Sequence, residues 1–242
     1  MSPVIDFHSH ILPAVDDGSI SVEESIAMLR MEKEQGITHI VATPHFYADC
    51  DTPEDFLDRR DRAEDKLRRA MAEYPELPEI IVGAEVHYFR GINDSDALRM
   101  LTIRGTFAVM IEMPELPWSD AALTEVGMIY ERHGILPIVA HVDRYIAPLR
   151  TYGIPAKLAE LPVLVQANGD FLLKRSTASL ALRLLRQDKI HLLGSDCHNT
   201  TSRKPNLGEV RNIIQQRLGN AILERIDSYG ADVLQLTKKE YV

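Results

Sequence analysis

Two histidines, His8 and His10, are separated by one residue where the apolar run "VIDF" ends. Side chains on an extended chain repeat every two residues, so both imidazoles leave from one side and can aim a nitrogen at one point. Paired imidazoles at a strand exit are the start of a metal site, and the rest of the chain supplies what such a site lacks. His45 follows an apolar run in "ATPHF", Glu85 in "GAEVHY", Glu112 in "MIEMP" and His141 in "VAHVDRY". Asp196 and His198 follow another in "GSDCH", and the loop after the first run adds Asp16 and Asp17 in "VDDGS". A set of imidazoles and carboxylates without thiolate disfavours a cysteine-rich structural zinc site. It suits Mn, Fe or Zn, with Mn2+ first because it tolerates oxygen ligands. His8, His10, Asp17, His45, Glu85, Glu112, His141, Asp196 and His198 are too many donors for one ion; they suit two or three, with carboxylates bridging. Ions about 4 Å apart can generate a hydroxide nucleophile and clamp an oxyanion together. The same carboxylates gathered without cations would in part have to protonate, so the cluster implies bound metal.

Residues spread over 190 positions meet only if the fold makes them meet. Short, near-continuous apolar runs read as parallel strands buried on both faces at 3–7, 37–42, 79–84, 106–112, 135–140, 162–167 and 190–194. Helical patterns fall between them. The pattern over 21–35 opens on Ser21-Val22-Glu23-Glu24, a capping-box sequence, and closes at Gly36. That over 53–73 takes Thr52 as cap and Pro53 as its first residue, and 119–133 starts from Ser119 and ends before Gly134. A weaker pattern covers 146–160 and a clear one 176–187. Two more, 207–218 and 220–236, finish the chain, with Asn206 and Glu209 suited to cap the first. No internal repeat or Gly/Ser linker divides the sequence. Residues 1–242 therefore read as one α/β domain, a (β/α)7 barrel, with a doubly wound open sheet as the alternative. In a closed parallel barrel the C-terminal strand edges form one ring around one mouth, and every candidate ligand lies at such an edge.

Composition narrows the partners. The chain has 242 residues, 45% hydrophobic and 26% charged, with a net charge of −9. That acidity argues against a nucleic-acid or anionic-membrane surface. Two cysteines, Cys50 and Cys197, make no disulfide framework and fit a reducing compartment. No apolar run approaches the roughly 18 residues that span a bilayer, and "MSPVIDFHSH" has no signal-peptide character, so the expected location is cytoplasmic.

Other residues have ordinary explanations. His39 sits inside the second strand and His191 inside the last, and His133 is in the final turn of a helix, where a polar end is common. His87 lies two residues past Glu85, close enough to border the site. Trp118, in "MPELPWSD", suits either the mouth or packing. Cys197 and Arg203 are spaced Cys-x5-Arg, the signature length of a thiolate phosphatase loop. The loop between them has no glycine, and Asp196 beside the thiol would raise its pKa.

In order, "DFHSH", "VDDG", "TPHF", "GAE", "AHVDRY" and "GSDCH" resemble the PHP superfamily, named for polymerase and histidinol phosphatase. The start "DFHSHILPAVDDGS", Glu112 and "HVDRY" look most like its bacterial manganese-dependent tyrosine-protein phosphatases of the capsular-polysaccharide type. The resemblance implies a distorted, TIM-like (β/α)7 barrel with a trinuclear metal centre. By that pattern His8, His10, Glu85 and Asp196 hold one ion. Glu85 bridges to a second, completed by Glu112 and His141. Asp17, or its neighbour Asp16, holds the third with His45 and His198. Arg144 and Arg203 match the family's phosphate-binding arginines, and a guanidinium fork fits phosphate oxygens.

The activity so implied is hydrolysis of phosphotyrosine by a metal-activated hydroxide, on a protein substrate that the resemblance makes a cognate bacterial tyrosine kinase of capsule or exopolysaccharide synthesis. A phenolate leaving group, whose conjugate acid has a pKa of about 10, needs less acid help than an alkoxide. Asp143 and His87 are both candidates to give that proton. Histidinol phosphate or another small phosphomonoester is the alternative substrate, and a non-catalytic metal-binding regulatory subunit is the alternative of another class.

Overall fold

Every strand pair in the computed structural model, which describes residues 3–114, 117–146 and 153–235, is parallel. The strands are β1 Ile5–Ser9, β2 His39–Ala42, β3 His45–Phe46, β4 Glu79–Val82, β5 Glu85–His87, β6 Ala108–Glu112, β7 Leu136–Val139, β8 Leu164–Asn168 and β9 Leu192–Gly194. They fall into two hydrogen-bonded sets, β1-β2-β4 and β3-β5-β6-β7-β8-β9. The two sets are joined because β2 and β3 belong to one run and β4 and β5 to another. The second and third runs therefore reach past the expected ends at 42 and 84. Pro44 removes an N–H from the ladder and interrupts the second. Gly83, whose added Cβ would sit 3.0 Å from the Ile103 side chain, interrupts the third. Ladder bonds still cross both breaks, from Gly83 N–H to Ala42 C=O and from Glu85 N–H to Pro44 C=O.

The first and last runs meet as well. Ser9 bridges in parallel to Cys197, His10 N–H donates to Cys197 C=O at 2.9 Å, and Asp196 N–H donates to His8 C=O at 2.8 Å. Seven runs in chain order thus curl round until the seventh touches the first, which is the predicted barrel and not the open sheet. Asp6 fastens that seam. It is fully buried on β1 and accepts from Ser195 N–H and His8 N–H.

Helices cover the outside: α1 Val22–Glu34, α2 Pro53–Met71, α3 Leu98–Leu101, α4 Asp120–His133, α5 Asp143–Ile146, α6 Ile154–Leu158, α7 Asp170–Leu173, α8 Ala178–Arg186, α9 Leu207–Leu218 and α10 Asn220–Val233. The predicted caps act as such at α1, α2 and α4, where Ser21, Thr52 and Ser119 accept from Glu24, Asp55 and Ala122 N–H. Asn206 does not cap α9; its amide donates instead to Asp170, across to α7. Of the weak pattern over 146–160 the structure shows the short α6, while α5 lies before it and ends at its first residue, Ile146; residues 147–152 lie outside the described residues, as does position 236 at the end of the last predicted helix. The short α3 and α7 have too few turns to show a periodicity in the sequence.

On the strands one face alternates with the other, and the polar residues continue apolar rows. Met110 leads to Glu112 on β6, and Leu164 leads to Gln166 and Asn168 on β8. Val41, Met110, Ile138 and Leu192, from four strands, pack in one buried cluster. Each such side chain contributes about 1.5–3 kcal/mol on burial, which offsets the cost of the charged residues at the strand ends.

Candidate active site

The strand ends bring all nine predicted ligands to one place. His8 and His10 are buried at the exit of β1 with their Nε2 atoms 3.1 Å apart. Glu85, the first residue of β5, lies against both, with Oε2 at 3.1 Å from His8 Nε2 and 3.2 Å from His10 Nε2. Asp196, just past β9, brings Oδ1 within 3.6 and 3.5 Å of the same two nitrogens. Glu85 also meets His45 Nδ1 at 3.2 Å and His141 Nε2 at 2.6 Å. Glu112 closes that side, with Oε1 at 3.4 Å from His141 Nε2. At the rim, the exposed Asp17 places Oδ1 at 3.6 Å from His45 Nε2 and 3.4 Å from His198 Nε2. His141 and Asp196 hold left-handed backbone conformations, φ 29° and 53°. A side chain makes that region costly, and such strain gathers where surrounding structure imposes a functional geometry.

The donor chemistry fits divalent cations. Metal–ligand bonds of about 2.1 Å put neighbouring ligand atoms about 3 Å apart, which is the spacing around Glu85. His10 Nδ1 is 2.7 Å from Asp16 Oδ2, and His198 Nδ1 is 2.9 Å from the Asp196 carbonyl oxygen. Both oxygens only accept, so each ring keeps a proton on Nδ1 and turns Nε2 to the pocket. His198 Nε2 is buried without a hydrogen-bond partner, and burial, then the charge of His10, depress its pKa to about 4. Burial opposes the charges of the others, but partners prevail. Asp16 and Glu85 push His10 up to about 10, while His8, His10 and His141 hold the Glu85 carboxyl well below its usual range. The middle of the pocket thus calls for positive charge facing Glu85. Three groups of these side chains have ligand atoms close enough for a shared ion: His8, His10 and Glu85; His45, Glu85 and Glu112; and His10, Asp17, His45 and His198. His45 reaches two of the groups, and His10 joins the third, which the family pattern did not imply.

The structure separates the adjacent aspartates. Asp16 turns away from the pocket centre and accepts from His10 Nδ1, His45 N–H and Gly18 N–H. Asp17 is the one whose carboxylate faces His45 and His198. An added Cβ at Gly18 would come within 2.2 Å of the His10 carbonyl oxygen, so only glycine lets the loop double back this tightly.

Both predicted arginines lie on the pocket. Arg144 Nη2 is 2.5 Å from Asp196 Oδ2, and Arg203 Nη2 is 2.9 Å from Asp196 Oδ1. Each is partly exposed. They line a cavity of about 330 Å3 beside Asp196, with Asp143, Asn168 and Lys174 on its wall. Asp143 accepts from Asn168 N–H, and burial raises its pKa. His87 bonds to Glu112 at 3.1 Å and so borders the site, as its position two residues past Glu85 allowed. Trp118 packs edge-on against Tyr145 and donates to Pro114 C=O, the packing role. His39, His133 and His191 bond to Thr38, the Asn93 carbonyl and Val165 N–H, away from the pocket.

Cys197 is fully buried with its thiol directed at Glu32, and burial, then Glu32 and Asp6, push that thiol well above its ordinary value. A neutral thiol sealed behind β1 cannot act as the nucleophile that the Cys-x5-Arg spacing suggested. Asp16 as an orienting residue, and Gln166 and Asn168 on β8, escaped the sequence reading. The last two obey the same two-residue rule that revealed His8 and His10.

Fold and site together define a parallel α/β barrel whose mouth carries overlapping groups of histidine and carboxylate with ligand atoms spaced to suit divalent cations. Residues 4–234 match the model of the family described as "Capsular polysaccharide synthesis, CpsB/CapC", and the chain belongs to that family. Among curated relatives it is 30% identical over 239 residues to the tyrosine-protein phosphatase CpsB of Streptococcus pneumoniae, covering 89% of this chain and 91% of that protein. It is 26% identical over 225 residues to the tyrosine-protein phosphatase YwqE of Bacillus subtilis, covering 90% and 87%. A solved structure from work on Bacillus subtilis YwqE and Streptococcus pneumoniae CpsB, described as unique metal-dependent tyrosine phosphatases, shares the fold. Its TM-score is 0.84 at 24% identity, over 96% of this chain and 94% of that one.

Proposed function

We propose that this protein is a metal-dependent protein-tyrosine phosphatase. The observation that carries the reading is the meeting of nine imidazole and carboxylate residues at one mouth, with Glu85 at their centre and two guanidiniums on Asp196. His8, His10, Glu85 and Asp196 would hold one ion, Glu85, Glu112 and His141 a second, and Asp17, His45 and His198 a third. Mn2+ suits this donor set first, with Fe or Zn as possible occupants. Bound ions supply Lewis-acid charge and a lowered pKa of water at the phosphorus.

The chain's own residues do the rest. Arg144 and Arg203 present guanidinium nitrogens beside the metal ligands, where they bind the phosphoryl oxygens and balance charge that grows on them. Asp143 lines the same cavity, and the raised pKa that burial gives it suits a proton donor to the departing phenolate oxygen. Names of relatives and family point to a phosphotyrosine protein of capsular-polysaccharide synthesis as substrate, and we take a cognate tyrosine kinase to be that partner. The whole chain acts as one domain in the cytoplasm; no helix among the described residues is long and apolar enough to cross a membrane.

The test is turnover of a phosphotyrosine peptide against histidinol phosphate by chelator-treated protein, before and after adding Mn2+. Turnover should require the metal, favour the peptide, and show a raised KM in Arg144→Lys and Arg203→Lys. Full activity after metal removal would refute the reading, and preference for histidinol phosphate would move the protein to the other substrate class.

A further inference from the structure

β8 is the strand for which no ligand was expected, yet its two buried amides border the pocket. Gln166 is fully buried and Asn168 nearly so, and as residues two apart they share a face. Asn168 Nδ2 is 2.8 Å from Asp196 Oδ2, and Asn168 Oδ1 is 3.1 Å from Gln166 Nε2. Gln166 Oε1 then accepts from His141 N–H at 2.6 Å and lies 3.3 Å from His8 Nδ1.

The polarity of this chain is forced at both ends. A carboxylate oxygen only accepts, so Asn168 must turn its NH2 group to Asp196 and its oxygen to Gln166. A backbone N–H only donates, so Gln166 must turn its oxygen to His141. The same oxygen faces His8 Nδ1, which can therefore bond to it only as a donor. That leaves the Nε2 lone pair of His8 pointing at His10 and Glu85. Gly194, on the neighbouring β9, makes room: an added Cβ would come within 2.5 Å of His8 Cβ and 2.6 Å of Gln166 Nε2.

We infer that Gln166 and Asn168 are positioning residues that set the His8 tautomer and orient Asp196 toward the ion shared by His8, His10, Glu85 and Asp196. His10 has the matching orienter in Asp16, so each imidazole of the "HSH" pair is held by a separate acceptor. The inference rests on the metal-centre reading above.

The experiment uses full-length, chelator-treated protein with Zn2+ as a diamagnetic probe. Calorimetry gives affinity, and 15N-histidine NMR of the loaded protein gives the tautomer. The wild type should ligate through His8 Nε2 with the proton on Nδ1. Gln166→Leu should lower Zn2+ affinity by about 10- to 100-fold, the usual effect of losing an outer partner of a ligand. Gln166→Glu keeps an acceptor toward His8 and His141 N–H but loses the donor to Asn168 Oδ1, so it should keep the proton on His8 Nδ1 and bind Zn2+ more tightly than Gln166→Leu though less tightly than the parent. A purely structural role would shift melting temperature without moving the tautomer.

Ligation through His8 Nδ1, or wild-type affinity in Gln166→Leu, would overturn the inference alone. If Gln166→Leu does not fold, the wild-type spectrum still decides. A wild type that binds no Zn2+ or Mn2+ would overturn both this inference and the metal-centre reading.

Discussion

Replacing Asp16 by asparagine keeps shape and removes one acceptor. In the native loop Oδ1 accepts from Gly18 N–H at 3.0 Å, while Oδ2 accepts from His45 N–H at 3.0 Å and from His10 Nδ1 at 2.7 Å. An amide has one oxygen, so Asp16→Asn must leave an NH2 group facing either Gly18 or the other two donors. If the oxygen stays with Gly18, His10 has to accept at Nδ1 and carry its proton on Nε2, where His8 Nε2 and Glu85 Oε2 stand 3.1 and 3.2 Å away. The lone pair meant for the metal is then lost. Restoring it costs a hydrogen bond to a charged group, about 1.5–3 kcal/mol. At 1.4 kcal/mol per factor of ten, that is about 10- to 100-fold in metal affinity. Titration of Mn2+ into chelator-treated protein reads this directly. Asp16→Asn should weaken binding with stoichiometry unchanged, whereas Asp17→Asn should remove a binding event. Unweakened binding in Asp16→Asn, or loss of a binding event there and not in Asp17→Asn, would refute the division of labour between the two residues.

Cys197→Ser should retain kcat/KM per folded molecule to within about threefold, since a buried neutral thiol is no nucleophile; complete loss with metal still bound, measured on a phosphotyrosine peptide, would revive the thiolate mechanism. Glu32 is buried against Asp6, and burial, then the Asp6 charge, hold its carboxyl well above the ordinary 4.5. The folded protein therefore binds that proton more tightly than the unfolded chain, and stability falls as pH rises from 4.5 toward the raised folded value. Glu32→Gln should accordingly raise Tm at pH 8 by about 2–4 °C, equivalent to about 1 kcal/mol, and gain less at pH 5. An equal gain at both pH values in thermal scans would show that the carboxyl is not protonated in the fold.

The barrel and the ligands were legible in the sequence for one physical reason. Parallel strands buried on both faces are continuous apolar runs, so a charged residue at the end of each run stands out, and a closed ring sends those ends to one mouth. His8, His10, His45, Glu85, Glu112, His141, Asp196 and His198 each needed only their place after a run. What depended on loop conformation did not show. Asp16 and Asp17 have the same chemistry and adjacent positions, and only the tight return at Gly18 turns one toward His10 Nδ1 and the other toward His198. The resumption of the second run past Pro44 and the break at Gly83 did not show, because the bonds that carry the ladder across them, Gly83 N–H to Ala42 C=O and Glu85 N–H to Pro44 C=O, join different runs. Cys197 and Arg203 kept the spacing of a phosphate loop until burial of the thiol behind β1 removed that reading. Gln166 and Asn168 look like ordinary strand amides until β9 closes at Gly194, because a hydrogen-bond partner is a property of what lies across the barrel. Residue type and strand period determined which groups gather at the mouth; tertiary contacts alone decided which of them bear lone pairs toward its centre and which hold the others in place.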